Sequence, residues 1–138
     1  VKHFVELRKD KNARKAAREV VISGEKLVRE LAEKKSLHVL LTLEPLDDIK
    51  SRECYIVTPE ILKKVTGVAE PDGFAASISM PKEEPLEKKK RIVILDQISD
   101  PGNLGTIFRS AAAFGWEGIW LTPGAVDPFN DKALRASR

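Results

Sequence analysis

The segment SDPGNLGTIFRSAAAFG, from Ser99 to Gly115, decides the fold of the second half of this chain. It begins as a Pro/Gly turn and continues as an alanine-rich, apolar helix that carries a single arginine, Arg109. The continuous apolar run RIVILDQ precedes the segment and IWLT follows it. Unbroken apolar strands are typical of parallel sheets, so this order predicts a right-handed βαβ unit. Because two parallel strands cannot bury their faces, residues 92–138 are predicted to be the first, incomplete part of an α/β domain.

Polar residues cluster where the first of these strands ends and the helix begins. In open α/β sheets, ligands bind beyond the carboxyl ends of the strands. Asn103 is predicted to cap the helix, so that the backbone N–H groups after it face an anion or a polar oxygen. The residues predicted to lie at this edge are Asp96, Gln97, Ser99, Asp100 and Asn103.

Arg109 stands four residues after Gly105, on the same face of the predicted helix. Long helical side chains lean toward the preceding turn, so the guanidinium is expected to lie over Gly105 and approach Asn103. A guanidinium, an amide and free backbone donors are suited to holding a phosphate or a ribose. The alternative is a surface ion pair of Arg109 with Asp100 or Glu117, in which Gly102 and Gly105 only shape the turn.

Other catalytic or binding patterns fit less well. G-N-L-G matches neither the dinucleotide-binding nor the phosphate-loop fingerprint. His3 and His38 have no acidic or cysteine neighbours at ligand spacing, so both are expected to be structural and no metal site is predicted. The single cysteine, Cys54, excludes an internal disulfide.

The first half alternates between helical and strand patterns, which predicts a compact α/β/α sandwich over residues 1–81. Leu37–Leu43 and Cys54–Thr58 are predicted to be buried strands, and Gly73–Met80 the last strand. Thr58 and Pro59 form a typical helix start. The charged, proline-containing stretch over residues 82–91 is predicted to be a linker and not a nuclear localisation signal.

A basic segment, KDKNARKAAR, runs from Lys9 to Arg18. Arg14 and Arg18 are four residues apart, as are Lys11 and Lys15, so on a helix they would form a basic face. This face is either a solvated surface or one that contacts phosphates. The net charge of +3 permits a nucleic-acid partner without arguing for one. No apolar run is long enough to span a membrane and no signal-peptide core is present, so an intracellular protein, cytoplasmic or organellar, is expected.

The residues LDQISDPGNLGTIFRSAAAFG resemble the first motif of the SpoU (TrmH-like) family of RNA ribose methyltransferases, which have the knotted SPOUT fold. The motif is N-x-G-x-x-x-R, here Asn103, Gly105 and Arg109. DPFNDKALRAS is similar to the segment that follows in the family, with K-x-x-R-A-S at Lys132 to Ser137. More loosely, VVISGEKLVREL and GFAASISMP resemble parts of the family's RNA substrate-binding domain, which is related to ribosomal-protein-like sandwiches.

The resemblance implies methyl transfer from S-adenosylmethionine to a ribose 2′-hydroxyl of rRNA or tRNA. It implies catalytic roles for Arg109, as base or electrostatic stabiliser, and for Asn103, which would position the arginine or the ribose. Gly102 and Gly105 would shape the site, and the complete family domain is expected to be a homodimer. RNA contacts are expected from Arg14, Lys15, Arg18, Lys132 and Arg135.

Two later motifs of the family, which build the cofactor pocket, are not found in these residues. The chain is therefore expected to contain no cofactor-binding residues and to be inactive by itself. Three hypotheses follow: an RNA ribose methyltransferase, a non-catalytic RNA-binding module, and a nucleotide-binding α/β unit.

Overall fold

The computed structural model describes residues 1–137. Residue contacts divide the chain into two compact units, Val1–Met80 and Pro81–Arg138. No helix among the described residues is long and apolar enough to cross a membrane.

The first unit contains a four-stranded mixed sheet and four helices. Its strands lie in the order β1-β4-β2-β3, in which β4 is antiparallel to both β1 and β2, while β2 and β3 are parallel. The elements are α1 (Lys2–Lys9), α2 (Lys11–Ala17), β1 (Glu19–Ser23), α3 (Glu25–Lys34), β2 (Leu37–Thr42), β3 (Ser51–Ile56), α4 (Pro59–Thr66) and β4 (Phe74–Ser79).

Helices cover both faces of the sheet at β1, β4 and β2. One face packs against α1 and α4 in a core cluster of Phe4, Leu7, Val21, Leu41, Leu62, Val65 and Ala75. Because side chains alternate along a strand, the buried neighbours Val20, Ile22, Leu40 and Ala76 lie on the other face. Helix α3 contacts β1 and β4 and contributes the buried Val28. This unit is therefore a mixed α/β layer structure.

Most of the predicted elements of the first unit are confirmed. Thr58 accepts a hydrogen bond from the N–H of Ile61, and Pro59 occupies the first turn of α4, as expected. The predicted strand at Cys54 is confirmed as part of β3, which ends at Ile56. Its predicted burial is wrong, because β3 is the edge strand and five of its six residues are exposed. The sequence pattern also missed α1, whose buried residues are Phe4 and Leu7.

The second unit is a strand–helix–strand arrangement followed by a short helix. It consists of β5 (Ile92–Leu95), α5 (Pro101–Ala113), β6 (Gly118–Leu121) and α6 (Asp131–Ala136). The predicted parallel pairing is confirmed, with Ile94 opposite Trp120. Both side chains are more than half exposed, so one face of this two-stranded sheet is only partly covered.

Part of the predicted linker packs on the second unit. A Cβ at Gly118 would lie 2.6 Å from Leu86 Cδ2, so the leucine uses the space that the glycine leaves open. The Lys90 N–H donates to Glu117 Oε2 at 3.3 Å. The end of this segment is therefore held by the sheet that it precedes.

Candidate functional site

Helix α5 begins earlier than the sequence pattern predicts. The N-cap is Asp100 and not Asn103, because Asp100 Oδ2 accepts the Asn103 N–H at 2.6 Å and Pro101 occupies the first helical position. Proline fits this position, where its missing N–H costs nothing. Asn103 therefore lies in the first turn with an exposed side chain.

This start leaves fewer backbone donors at the helix end than expected. Pro101 has no N–H, the Asn103 N–H is bonded to the Asp100 carboxylate, and the Leu104 N–H donates to the Asp100 carbonyl. The polar groups that remain available from α5 are therefore mainly side chains, above all the Asn103 amide and the Arg109 guanidinium.

Gly105 allows α6 to approach α5. A Cβ at this position would lie 2.3 Å from the Ala133 carbonyl oxygen, 2.7 Å from Ala136 Cβ and 3.0 Å from the Ser137 nitrogen. The expectation that the Arg109 guanidinium lies over Gly105 is therefore not met, since α6 fills the space beside the glycine. Gly105 is thus a packing residue that joins the two motif segments.

Arg109 is exposed on α5. Within residues 1–137 it has neither a hydrogen-bond nor an ion-pair partner, so the alternative ion pairs with Asp100 and Glu117 are absent there. Asp100 caps its own helix, and Glu117 accepts from the Lys90 N–H. The guanidinium is therefore available to a ligand.

Thr122, which the sequence analysis did not single out, organises the carboxyl edge of the two parallel strands. Its hydroxyl lies 2.8 Å from Asp96 Oδ1 and accepts the Gln97 N–H at 2.9 Å. Gln97 has a φ of 48°, which is uncommon for a residue other than glycine. The strand end at Asp96 and Gln97 is thus fixed by a hydroxyl from the neighbouring strand end.

Helix α6 begins at Asp131, and its N-cap is Asn130, which accepts the Lys132 N–H at 2.9 Å. Asp127 does not cap this helix, because its side chain accepts the Phe129 N–H at 3.1 Å and closes a turn before the helix. Lys132 is exposed, whereas Arg135 forms an ion pair of 3.0 Å with Asp131 one turn earlier. Helix α6 packs on α5, so Lys132 and Arg135, two candidate RNA-binding residues, lie on a helix that contacts the one carrying Arg109.

The predicted basic face of the first unit is only partly present. Arg14 is 3% exposed, and its guanidinium donates to the carbonyls of Leu7 and Arg8 at 2.6 and 2.9 Å. It therefore stabilises the end of α1 and cannot be an exposed RNA contact. Arg18 is exposed but ends α2 in a left-handed conformation, so it does not continue a helical face with Arg14. Lys15 remains exposed on α2.

The two histidines share one carboxylate. His3 Nε2 and His38 Nδ1 lie 3.0 and 2.8 Å from the two oxygens of Glu19, and Ser79 Oγ lies 2.9 Å from His38 Nε2. Burial raises the pKa of Glu19, but the hydrogen bonds from both histidines outweigh it and lower the pKa below its ordinary value. Among residues 1–137, no group of three acidic, cysteine or histidine side chains could hold a metal ion.

Comparisons with known proteins identify the family. Residues 90–138 match the model of the SpoU rRNA Methylase family. The chain is 34% identical over 123 residues to the 23S rRNA (guanosine(2553)-2'-O)-methyltransferase RlmP of Bacillus subtilis, a match that covers 86% of this chain and 49% of that protein. It is 43% identical over 90 residues to a Synechocystis tRNA/rRNA methyltransferase, covering 64% of this chain and 33% of that one. The chain belongs to the SpoU family, and it spans between a third and a half of the length of these two relatives.

Solved structures agree with this assignment. The SpoU methyltransferase AviRb from Streptomyces viridochromogenes, in complex with AdoMet, matches with a TM-score of 0.82 and 25% identity over 99% of this chain and 57% of that one. An AdoMet-bound rRNA methyltransferase from Sinorhizobium meliloti matches with a TM-score of 0.80 and 26% identity over 98% of this chain and 55% of that one. S-adenosylmethionine (AdoMet) is thus the cofactor of this family, and the mixed α/β fold is shared with it.

Proposed function

We propose that this chain carries the RNA-binding unit and the first part of the catalytic unit of a methyltransferase that modifies a ribose 2′-hydroxyl of rRNA or tRNA. Val1–Met80 would be the substrate-binding domain, a sandwich like those of ribosomal proteins. The second unit would be the beginning of a knotted SPOUT domain. The observation that carries the proposal is the exposed Arg109, which has no partner among residues 1–137 and lies on a helix that also carries Asn103 and Gly105.

In the proposed methyl transfer the nucleophile is a ribose hydroxyl, which is weak and must be activated. A ribose hydroxyl must lose its proton as its oxygen forms a bond to the methyl carbon and the carbon–sulfur bond breaks. When bound, S-adenosylmethionine supplies that electrophilic methyl group. As a charged guanidinium, Arg109 would stabilise the developing alkoxide and the adjacent phosphate while the proton passes to water. It would accept the proton itself only in its neutral form, and a guanidinium normally stays protonated. Asn103 would orient the ribose or the guanidinium from the first turn of the same helix.

The donors on α5 suit the RNA and not the cofactor. A guanidinium attracts phosphate and alkoxide oxygens but repels a positively charged sulfonium. We therefore propose that these 138 residues alone neither bind S-adenosylmethionine measurably nor methylate RNA. This chain covers only 55–57% of the length of the two AdoMet-bound chains, which supports this proposal.

The catalytic proposal is tested in the longest natural reading frame that contains these residues. Arg109→Ala should lower the methylation rate at saturating RNA by a factor of about 10² to 10⁴, while RNA affinity stays nearly unchanged. Arg52→Ala is the matched control, because Arg52 is an exposed arginine on β3. Incorporation of a tritiated methyl group into ribosomal RNA measures the rate, and nuclease digestion shows whether the label is on O2′.

Each outcome has a distinct meaning. Equal rates for Arg109→Ala and the wild type would exclude Arg109 from catalysis. RNA binding without any methylation by the wild type would instead identify a non-catalytic RNA-binding module. The family resemblance also supports a homodimer, which sedimentation of the longest reading frame would test.

A further inference from the structure

The ends of three helices meet in the first unit around two arginines. Arg14 of α2 donates to the Leu7 and Arg8 carbonyls at the end of α1, at 2.6 and 2.9 Å. Arg8 in turn donates to the Lys64 carbonyl at the end of α4, at 3.4 Å. The Arg8 guanidinium also lies against Gly67, where it occupies the space that a Cβ would need. Residues that are far apart in sequence, Lys9 and Lys64, are therefore brought to one corner of the fold.

Apart from Lys2, which is paired with Glu6, five lysines are exposed on these three helices, and we call them the lysine surface. None of them forms a salt bridge with another described residue. Two acids close to them in sequence have other partners. Asp10 Oδ1 accepts the Asn12 N–H at 2.7 Å, and Glu6 Oε1 lies 4.0 Å from Lys2 Nζ. Glu60 lies in the first turn of α4, and its charge interacts with Lys63 one turn later, although the two side chains form no salt bridge. The lysine surface consists of Lys9, Lys11, Lys15, Lys63 and Lys64.

Helix stabilisation does not account for this accumulation of charge. Lysines near a helix C-terminus often interact with the last carbonyl groups. Here the carbonyls of Leu7, Arg8 and Lys64 already accept hydrogen bonds from the two arginines. The ammonium groups therefore remain available to an external anion.

We propose that the lysine surface binds the phosphate backbone of the RNA substrate. This inference rests on the proposed function and adds Lys9, Lys11, Lys63 and Lys64 to the contact. Repeated phosphates match several lysines around one corner better than a single carboxylate does. A membrane would require apolar side chains beside the lysines, and among the described residues no large exposed apolar side chain lies on α2 or α4.

The test is RNA binding by the 138-residue chain. The probe is a fluorescein-labelled RNA hairpin of about 20 nucleotides, titrated at several salt concentrations from about 50 mM upward. Lys63→Gln combined with Lys64→Gln should weaken binding about tenfold at low salt and reduce the slope of log K against log salt by about 1 to 2. The control is Lys26→Gln with Lys34→Gln, two exposed lysines of α3, and its affinity should stay within about twofold of the wild type. Circular dichroism and thermal melting establish that both variants are folded.

Three results would overturn the inference. They are equal loss of affinity in both double variants, unchanged affinity in the Lys63/Lys64 variant, and binding by the wild-type chain to phosphatidylserine vesicles but not to the hairpin. The methylation assay tests the proposed function separately. A protein that binds RNA but does not methylate ribose would still show the Lys63/Lys64 effect on binding.

Discussion

Gly105 and Arg109 lie four residues apart on α5 but meet different surroundings. Gly105 is buried against the Ala133 carbonyl and Ala136 of α6. Arg109 is exposed and has no partner among the described residues. The glycine thus holds the second helix in place, and the arginine is free to act on a ligand.

Gly105→Ala should destabilise the second unit. Alanine is the better helix former by about 1 kcal/mol. Its Cβ would nevertheless lie 2.3 Å from the Ala133 carbonyl oxygen, so α6 must move. We expect a net loss of about 1–3 kcal/mol in the free energy of unfolding. Urea unfolding followed by tryptophan fluorescence reports on this unit, because both tryptophans, Trp116 and Trp120, belong to it.

Gly102→Ala is the control for this experiment. Its Cβ would meet Asp100 Oδ2, at 3.0 Å, and no atom of α6 within 4 Å, so the contact between the two helices is left intact. A free energy of unfolding equal to the wild type in Gly105→Ala, or a larger loss in Gly102→Ala, would refute the packing role of Gly105.

At the scale of the element, α1 is the helix that organises the first unit. Phe4 and Leu7 enter the core, and Arg14 caps the end of the helix. His3 near its start lies 3.0 Å from Glu19 of β1, whose other oxygen lies 2.8 Å from His38 of β2. One carboxylate therefore connects the helix to two strands of the sheet.

Glu19→Gln should make the first unit less stable at neutral pH and less sensitive to acid. The pKa of Glu19 is lowered in the folded state, since the hydrogen bonds from His3 and His38 outweigh the effect of burial. A lowered pKa stabilises the fold above the ordinary value of 4.5, and this stabilisation is lost as the pH falls through the folded-state value. We expect a loss of about 1 kcal/mol at pH 7 and a smaller or no loss at low pH.

Chemical unfolding at several pH values, followed by circular dichroism, measures this effect. Glu33→Gln serves as control, because Glu33 is an exposed glutamate at the end of α3. A constant difference between Glu19→Gln and the wild type at all pH values would contradict the assigned role of the carboxylate.

At the scale of the whole molecule, the two units carry complementary parts of the proposed activity. The first unit presents the lysine surface, and the second unit presents Arg109 and Asn103. Under the proposed function these donors act on the RNA, and we propose that these 138 residues do not hold the cofactor by themselves.

Calorimetric titration of the 138-residue chain with S-adenosylmethionine should therefore give no measurable heat of binding. The AdoMet-bound relatives are nearly twice as long as the part that this chain matches, with 55–57% coverage. The longest natural reading frame, titrated in parallel, provides the positive control. Micromolar binding by the short chain would overturn the assignment.

Much of the fold could be predicted from local patterns. Thr58 followed by Pro59 marks a helix start through side-chain capping, and this start is confirmed. The apolar runs around the Ser99–Gly115 segment predicted the parallel pair β5 and β6. The start of α5 was placed wrongly at Asn103, since both Asp100 and Asn103 are residue types that cap helices and the structure uses Asp100.

The sequence by itself determined the family and the identity of the candidate catalytic residues, because the spacing of Asn103, Gly105 and Arg109 is a local property of one helix. Only the tertiary structure decided how the other residues are used. The Arg14 guanidinium donates its hydrogen bonds to carbonyl groups at the end of α1, and α6 occupies the space beside Gly105. Lys63 and Lys64 belong to the lysine surface because Arg8 of α1 donates a hydrogen bond to the Lys64 carbonyl of α4. Such roles depend on contacts between segments that are distant in sequence, whereas residue spacing along the chain indicates only which side chains share a face of one helix or strand.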